Sequence, residues 1–471
     1  MSDITLIRPG ADVYQHLKNG LTAIEPPPWT RMIAGWLRDN GFEVAILDQE
    51  AENLSNKQIA ERTQKSRWVA VIVEGHQPSS STQQMTAVTS LLESLHDRNT
   101  ILVGNHVSAL PERTLIEEPV DCVCDGEGPL TLAGLLNNDP LDQIPGLVWR
   151  DGDTIRRNPL ASLIPIDELH GNVWDLLPMD KYRAHTWQCL DGSPRQPYAS
   201  IYTTQGCSFK CSFCMINVFQ HSNTYRRRTP EKVVEQIRHL HDVYGVRTFK
   251  IADEMFVLDP THYIPVCEGL AALPFANELN IWAYARIDTI KPETLDLLSR
   301  AGIRWLALGI ESGSSYVRDG AKKHLKDNDI VNIVQAIQEA GISIIGNFIF
   351  GLKHDTMESM RETLTLAKSL NLDFANFYSC LPYPGSKLFD ETKPEDLPDN
   401  WSGYSQHSLD CKPLPTETLS STDVLRFRDA AFIEFNSDSN YLERIKNKFG
   451  FNAANQIKTM TAYNLPRKLV A

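Results

Sequence analysis

The run Gly206-Cys207-Ser208-Phe209-Lys210-Cys211-Ser212-Phe213-Cys214 places three thiols on one short loop. Three residues separate the first pair of cysteines and two the second. The last two can therefore share one face of a tight turn while the first reaches back to the same centre. Three soft ligands converging on one point read as a metal centre. The loop follows a predicted strand, Tyr198-Ala-Ser-Ile-Tyr-Thr-Thr204, which sets the thiols at a strand's C-terminal end, where parallel α/β folds assemble their sites.

Downstream of the loop, β-rich and helical segments keep alternating. Strands are predicted over 198–204, 248–252, 281–285, 305–310, 343–350 and 374–379, separated by amphipathic runs such as 230–240 and 291–298. Six βα units fit a partial barrel rather than a complete eight-unit one, with one catalytic face at the strand C-termini. Upstream, strands over 4–7, 42–47, 68–73, 100–103 and 120–123 alternate with segments of helical periodicity such as 28–37, which implies a doubly wound parallel sheet. Its ligand is expected off the C-terminal strand ends, at Glu74-Gly75-His76-Gln77, Gly104-Asn105-His106 and Asp125-Gly126-Glu127-Gly128. The glycines there suit close approach of a flat or phosphate-bearing ligand; ordinary turns are the alternative. A hairpin is predicted at 146–150 and 154–157, then an irregular connection over 158–195.

The expected class is thus α/β. A Rossmann-like domain spans 1–140, a hairpin and interdomain linker 141–195, a (βα)6 partial TIM barrel 196–390, and a mostly helical cap or substrate-side domain 391–471.

Composition narrows the function. Lys and Arg number 46 against 59 Asp and Glu, a net charge of -13, and no basic run exceeds Arg226-Arg227-Arg228. This argues against a nucleic-acid partner. The chain opens without the apolar stretch of a signal peptide, and no apolar run approaches the ~18 residues of a membrane span, which predicts a cytoplasmic protein with no membrane partner. Nine cysteines, an odd number, fit reduced thiols and a metal site better than a disulfide framework. Thiolates hold zinc or an iron-sulfur cluster. Zinc needs a fourth ligand, for which His221 is nearest, but there is no second Cys-x-x-Cys knuckle. Three cysteines on one loop suit a 4Fe-4S cluster with one iron left for an outside ligand.

The Cys-x-x-x-Cys-x-x-Cys loop, with Phe213 before its last cysteine and six βα units around it, resembles the signature of the radical S-adenosylmethionine (SAM) enzymes. The resemblance implies that Cys207, Cys211 and Cys214 ligate the cluster, that its open iron chelates the amino and carboxylate groups of SAM, and that reductive cleavage yields a 5'-deoxyadenosyl radical. It places Phe213, Asp253, Glu254, Arg286, Glu311 and Ser312 at SAM. Asp253 or, by preference, Glu254 suits the methionine ammonium, Arg286 the carboxylate, and Glu311-Ser312 the ribose. A rim salt bridge is the alternative for each charge. Leu381-Pro-Tyr-Pro-Gly385 resembles a turn of the same family, with Ser386 where Thr is usual.

With a doubly wound domain ahead of the barrel, residues from about 3 to 390 resemble the cobalamin-binding branch of this family. That implies cobalamin contacts at Gly75, His76, Gly104, Asn105, His106, Gly126, Glu127 and Gly128. One departure is the lack of an Asp-x-His-x-x-Gly motif: His16 has no Asp two residues earlier, so cobalamin is expected to be held without a histidine ligand. The activity implied is methylation of an unactivated carbon of a small molecule or peptide, served by a reducing partner such as flavodoxin or ferredoxin. Cyclisation or rearrangement with the same cofactors is the alternative, and a non-catalytic cobalamin sensor with a structural metal is a third reading. RNA methylthiolation is disfavoured by the acidic charge and the helical tail.

Overall fold

The computed structural model describes residues 2–10, 22–75 and 77–470. The first sheet contains β1 (Ile4–Arg8), β2 (Val44–Asp48), β3 (Trp68–Val73), β4 (Thr100–Gly104), β5 (Cys122–Cys124), β6 (Leu147–Asp151) and β7 (Thr154–Arg157), in the order β2-β1-β3-β4-β5-β6-β7. β1 to β5 are parallel. Their apolar runs, such as Trp68-Val-Ala-Val-Ile-Val73, belong to strands covered on both faces. The chain order reverses between β1 and β3, the point where such sheets hold ligands. The hairpin expected within the linker instead extends this sheet: β6 pairs antiparallel with β5 and supplies partners for its edge N–H and C=O groups.

The second sheet contains β8 (Tyr198–Ile201), β11 (Thr248–Ile251), β12 (Asn280–Arg286), β13 (Ile303–Glu311), β14 (Ser343–Phe350) and β15 (Phe374–Ser379), parallel and in sequence order, as six successive βα units require. The helices between them carry the expected punctuation. Pro230–Tyr244 opens on Pro230 and ends at Gly245, whose φ of 67° suits a left-handed cap. The strand predicted over 198–204 stops at Ile201. Thr203 turns onto the Asp253 carboxylate, and β9 (Thr204–Gln205) pairs with β10 (Arg226–Arg227) in a separate ribbon that carries the cysteine loop.

Register stacks the inward-facing side chains in layers. Trp282, Trp305 and Ser343 form one; Tyr284, Ala307, Ile345 and Phe374 the next; Arg286, Gly309, Asn347 and Asn376 the third. The linker closes the floor. Trp187 packs 5.4 Å from Trp282, 5.5 Å from Trp305 and 6.1 Å from Phe374.

The C-terminal helices Ser421–Asn436, Ser439–Phe449 and Phe451–Thr461 brace the barrel rather than cap its site. Phe427 packs on Phe350, Phe435 on Phe377, and Phe449 on Trp305 at the floor. The part of the tail on the site side is the segment 401–414, whose Trp401 lies 4.4 Å edge-on to His106. One apolar cluster runs from Ile4 through both sheets to Ile457. No helix among the described residues is long and apolar enough to cross a membrane.

Candidate active site at the facing strand ends

The cysteine loop is clamped from several sides. At Gly206 φ is +84° and a Cβ would lie 2.1 Å from the Thr224 carbonyl oxygen, so only glycine fits. Asn217 accepts from the Cys207 N–H (3.0 Å) and donates to the Cys207 carbonyl (2.7 Å). The Cys214 N–H bonds the Cys211 carbonyl at 3.1 Å, the tight turn that the two-residue interval predicts. The Ser212 carbonyl accepts from the Leu388 N–H at 2.9 Å, and Ser386, standing where Thr is usual, caps the Leu388 helix by accepting from the Phe389 N–H at 3.1 Å. Phe213 packs on the apolar group of Val317, Ala321, Leu352, Cys380 and Leu414, which anchors the loop from behind.

Cys207 is buried and Cys211 and Cys214 half-buried. Burial pushes the Cys207 thiol up to about 11 and the Cys214 thiol higher still. Among the described residues no three His, Cys, Asp or Glu side chains are gathered as a single-ion site. His221, the fourth ligand that a zinc reading would need, has its Nε2 on Asp125 Oδ1 at 2.6 Å.

A cavity lies beside this loop, between the two domains. Trp29, Glu74, Gly75 and Asn105 line it from the first sheet, and Tyr202, Phe219, Gln220 and Glu254 from the barrel. Trp29 and Phe219 stack at 5.0 Å to form one wall. Asp253 and Glu254 divide their roles here. The Asp253 carboxylate is fully buried and accepts from the Thr203 N–H (2.6 Å), the Thr203 hydroxyl (2.5 Å) and the Thr204 hydroxyl (2.8 Å), so its work is structural. Glu254 faces the cavity, and burial pushes its carboxyl up to about 8, with the neighbouring Asp253 charge adding to the rise and a backbone hydrogen bond from Gly206 opposing it.

Three acceptors on this cavity's lining residues, Glu254 Oε2, Asn105 Oδ1 and Gln220 Oε1, are buried without a hydrogen-bond donor among the described residues. Unpaired buried acceptors are costly, and three on one cavity call for a ligand rich in N–H donors. An ammonium group at Glu254 and the amide side chains of cobalamin at Asn105 and Gln220 meet that requirement, so these residues fit the expected cofactors.

Other residues expected at the cofactors have partners within the protein. The Arg286 fork is already held by Asp288, at 2.8 Å from Nε and 2.9 Å from Nη2. Its Nη1 lies 3.7 Å from Cys211 Sγ and its guanidinium 3.8 Å over the Phe209 ring. Glu311 is paired with Lys323, both buried. Ser312 is buried, 3.1 Å from the Thr363 hydroxyl. His106 is enclosed rather than presented to a ligand. Its Nδ1 lies 3.3 Å from the Thr82 hydroxyl, Trp401 covers it, and burial with nearby Arg113 drives it down to about 3, so it is neutral.

Glu127 forms a buried ion pair with Arg226 across the domains. Gly75 and Gly104 are required by their own domain, since a Cβ would come within 2.3 Å of Ser80 and 2.4 Å of the Val73 carbonyl oxygen. Gly128, at φ +102°, packs against Val103 and Ile33 as it opens the helix Pro129–Asn137. Gly126, at φ +125°, has only the Phe219 carbonyl oxygen near its Cβ position, at 3.9 Å, and of the expected cobalamin glycines Gly75 lines the cavity. His16 and His76 lie outside the described residues. Trp29, Tyr202, Phe219 and Gln220 carry no sequence signal for this site, because only tertiary packing brings them together.

Both domains resemble known proteins. The pattern of the radical SAM superfamily matches residues 201–367 and that of the B12 binding domain residues 20–136. An uncharacterized methyltransferase of Pyrococcus horikoshii is 28% identical over 419 residues, covering 87% of each chain. An anaerobic magnesium-protoporphyrin IX monomethyl ester cyclase of Cereibacter sphaeroides is 26% identical over 392 residues, which span 81% of this chain and 62% of that protein. The structure of the radical SAM methyltransferase TsrM from Kitasatospora setae, with cobalamin and a 4Fe-4S cluster bound, shares the fold at a TM-score of 0.64 and 20% identity, over 82% of this chain and 74% of its own.

Proposed function

Because this chain belongs to the cobalamin-binding radical SAM enzymes, we propose that it methylates an unactivated carbon of a small molecule or peptide. The observation that carries the reading is the set of unpartnered acceptors between the cysteine loop and the first sheet, led by Glu254. When bound, the cluster with SAM supplies a 5'-deoxyadenosyl radical and cobalamin supplies the methyl group.

The chain's own contribution is placement and shielding. Cys207, Cys211 and Cys214 hold the cluster on a loop fixed by Asn217, Ser212 and Phe213. Glu254 receives the methionine ammonium, and that charge favours its ionised form. Arg286 keeps positive charge beside the thiolates. Asn105, Gly126 and Gln220 would hold cobalamin, and the stacked rings of Trp29 and Phe219 wall the same cavity and help keep water from it. In this reading cobalamin is held without a histidine ligand. The sheet with its hairpin, residues up to 157, forms the cobalamin unit. A reducing partner such as flavodoxin or ferredoxin completes a cytoplasmic system.

The test is an anaerobic assay with reductant and labelled SAM on candidate substrates. It should yield 5'-deoxyadenosine and a product heavier by one methylene unit, and the Cys207→Ala, Cys211→Ala, Cys214→Ala triple variant should yield neither. A substrate turned over repeatedly without that mass gain would favour cyclisation, the activity named for the Cereibacter relative. Absence of 5'-deoxyadenosine from fully loaded wild type would sink both.

A further inference from the structure

The barrel interior holds a feature that the cofactor sites do not use. Along β12, β14 and β15 the inward-facing residues Tyr284, Asn347, Ile349, Asn376 and Tyr378 are partly exposed, whereas their outward-facing neighbours are buried. Exposure on the inside of a barrel means open space. Trp187 closes the floor beneath it, so the space opens toward the cysteine loop. The layer carrying Asn347 and Asn376 continues in register through Gly309, which contributes no side chain, to Arg286 beside Cys211. At about 4.8 Å per strand, Asn376 stands about 14 Å along the sheet from Arg286.

The chemistry of this space is neutral. The charges around it are paired, Arg286 with Asp288, Lys323 with Glu311, Lys250 with Glu25 beside Trp282, and Arg428 behind β15 with Asp429. What stays available belongs to an amide and a phenol. Asn376 Nδ2 donates to Asn347 Oδ1 at 3.0 Å, and Asn347 Nδ2 donates to the Leu308 carbonyl at 3.3 Å, which fixes which way both amides point. Asn376 then keeps one N–H and its carbonyl oxygen unpartnered among the described residues. Two residues on and on the same face, the Tyr378 hydroxyl also has no partner among them.

The geometry points to Asn376, oriented by Asn347 and joined by Tyr378, as the residue that reads the substrate. It takes a substrate whose inner end is uncharged and offers a donor and an acceptor side by side, a carboxamide or lactam on an apolar skeleton resting against Ile349. This deepens the proposed function and rests on it for the premise that the substrate enters the barrel. A site built from such donors and acceptors rejects a charged isostere because its own polar groups are left mismatched.

The probes are benzamide and benzoate, titrated by saturation-transfer NMR into the anaerobically reconstituted full chain. Benzamide is expected to bind at least tenfold tighter than benzoate, and Asn376→Leu to abolish that preference. Tyr378→Phe, which deletes only a hydroxyl, should weaken benzamide several-fold and decides the matter if Asn376→Leu does not fold. Equal affinity for the two probes, no binding of benzamide, or a preference that survives in the folded variants overturns the assignment. Production of 5'-deoxyadenosine by the same wild-type sample is scored separately. Its absence sinks the radical chemistry without touching the amide preference, and its presence with no preference sinks only the substrate class.

Discussion

At Glu254 a carboxyl group sits against the cavity with Oε2 enclosed and unpartnered, while next to it Asp253 spends its oxygens on Thr203 and Thr204. The two substitutions should therefore fail in different ways. Asp253→Asn places an amide against donors and should cost about 2 kcal/mol of stability, read by denaturant unfolding. Glu254→Gln should leave the fold intact and lower 5'-deoxyadenosine formation at least a hundredfold, with weakened SAM binding by equilibrium dialysis. The pH signature follows from a folded value of about 8 against an ordinary 4.5. A carboxyl whose folded value is raised contributes stability that is full below pH 4.5 and lost as the pH rises through 8. The melting temperature of SAM-free wild type relative to Glu254→Gln should thus decline between pH 4.5 and 8, and bound SAM should flatten that decline. A flat difference without SAM would show that the carboxyl is not enclosed.

The cysteine loop is the element on which radical generation depends, and its shape hangs on Gly206. An alanine there takes on a left-handed backbone at about 1 to 2 kcal/mol and drives its Cβ into the Thr224 carbonyl. Gly206→Ala should keep a native circular dichroism spectrum yet lose most of its iron and sulfide after reconstitution, with the absorbance near the visible cluster band falling in parallel. Full iron content in this variant would refute the clamp. The loop's spacing and its position after a strand are legible in the sequence, because ligand intervals and the strand pattern are local. Its supports are not. Asn217 follows the loop closely, but Ala321 and Leu388 come from distant stretches and meet it only when the barrel curves.

Across the whole molecule the two sheets act as one body. The Glu127–Arg226 and Asp125–His221 pairs and the Trp29–Phe219 stack cross the domain boundary beside the cavity. Arg226→Met strands Glu127 in a buried site and should cost about 3 kcal/mol in thermal unfolding. The loss should be smaller at pH 5 than at pH 8, since burial already raises Glu127 and protonation removes its unpaired charge. The double variant Arg226→Met, Glu127→Leu should recover most of it. A loss independent of pH would mean that the pair contributes only packing.

The sequence alone determined the thiol loop, the six βα units, the doubly wound sheet and the carboxylate pair at the second barrel strand's end, because each is written in short-range spacing. Only the tertiary structure distinguished a fully bonded Asp253 from a Glu254 with an unpartnered oxygen, set His106 against Trp401, paired Glu127 with Arg226, moved the hairpin into the first sheet and assembled the cavity from Trp29, Asn105, Phe219 and Gln220. Those outcomes depend on which donors and charges come within bonding distance across hundreds of residues. The thiol loop that marks the chemistry is local, whereas the walls that direct it exist only where the two sheets face each other.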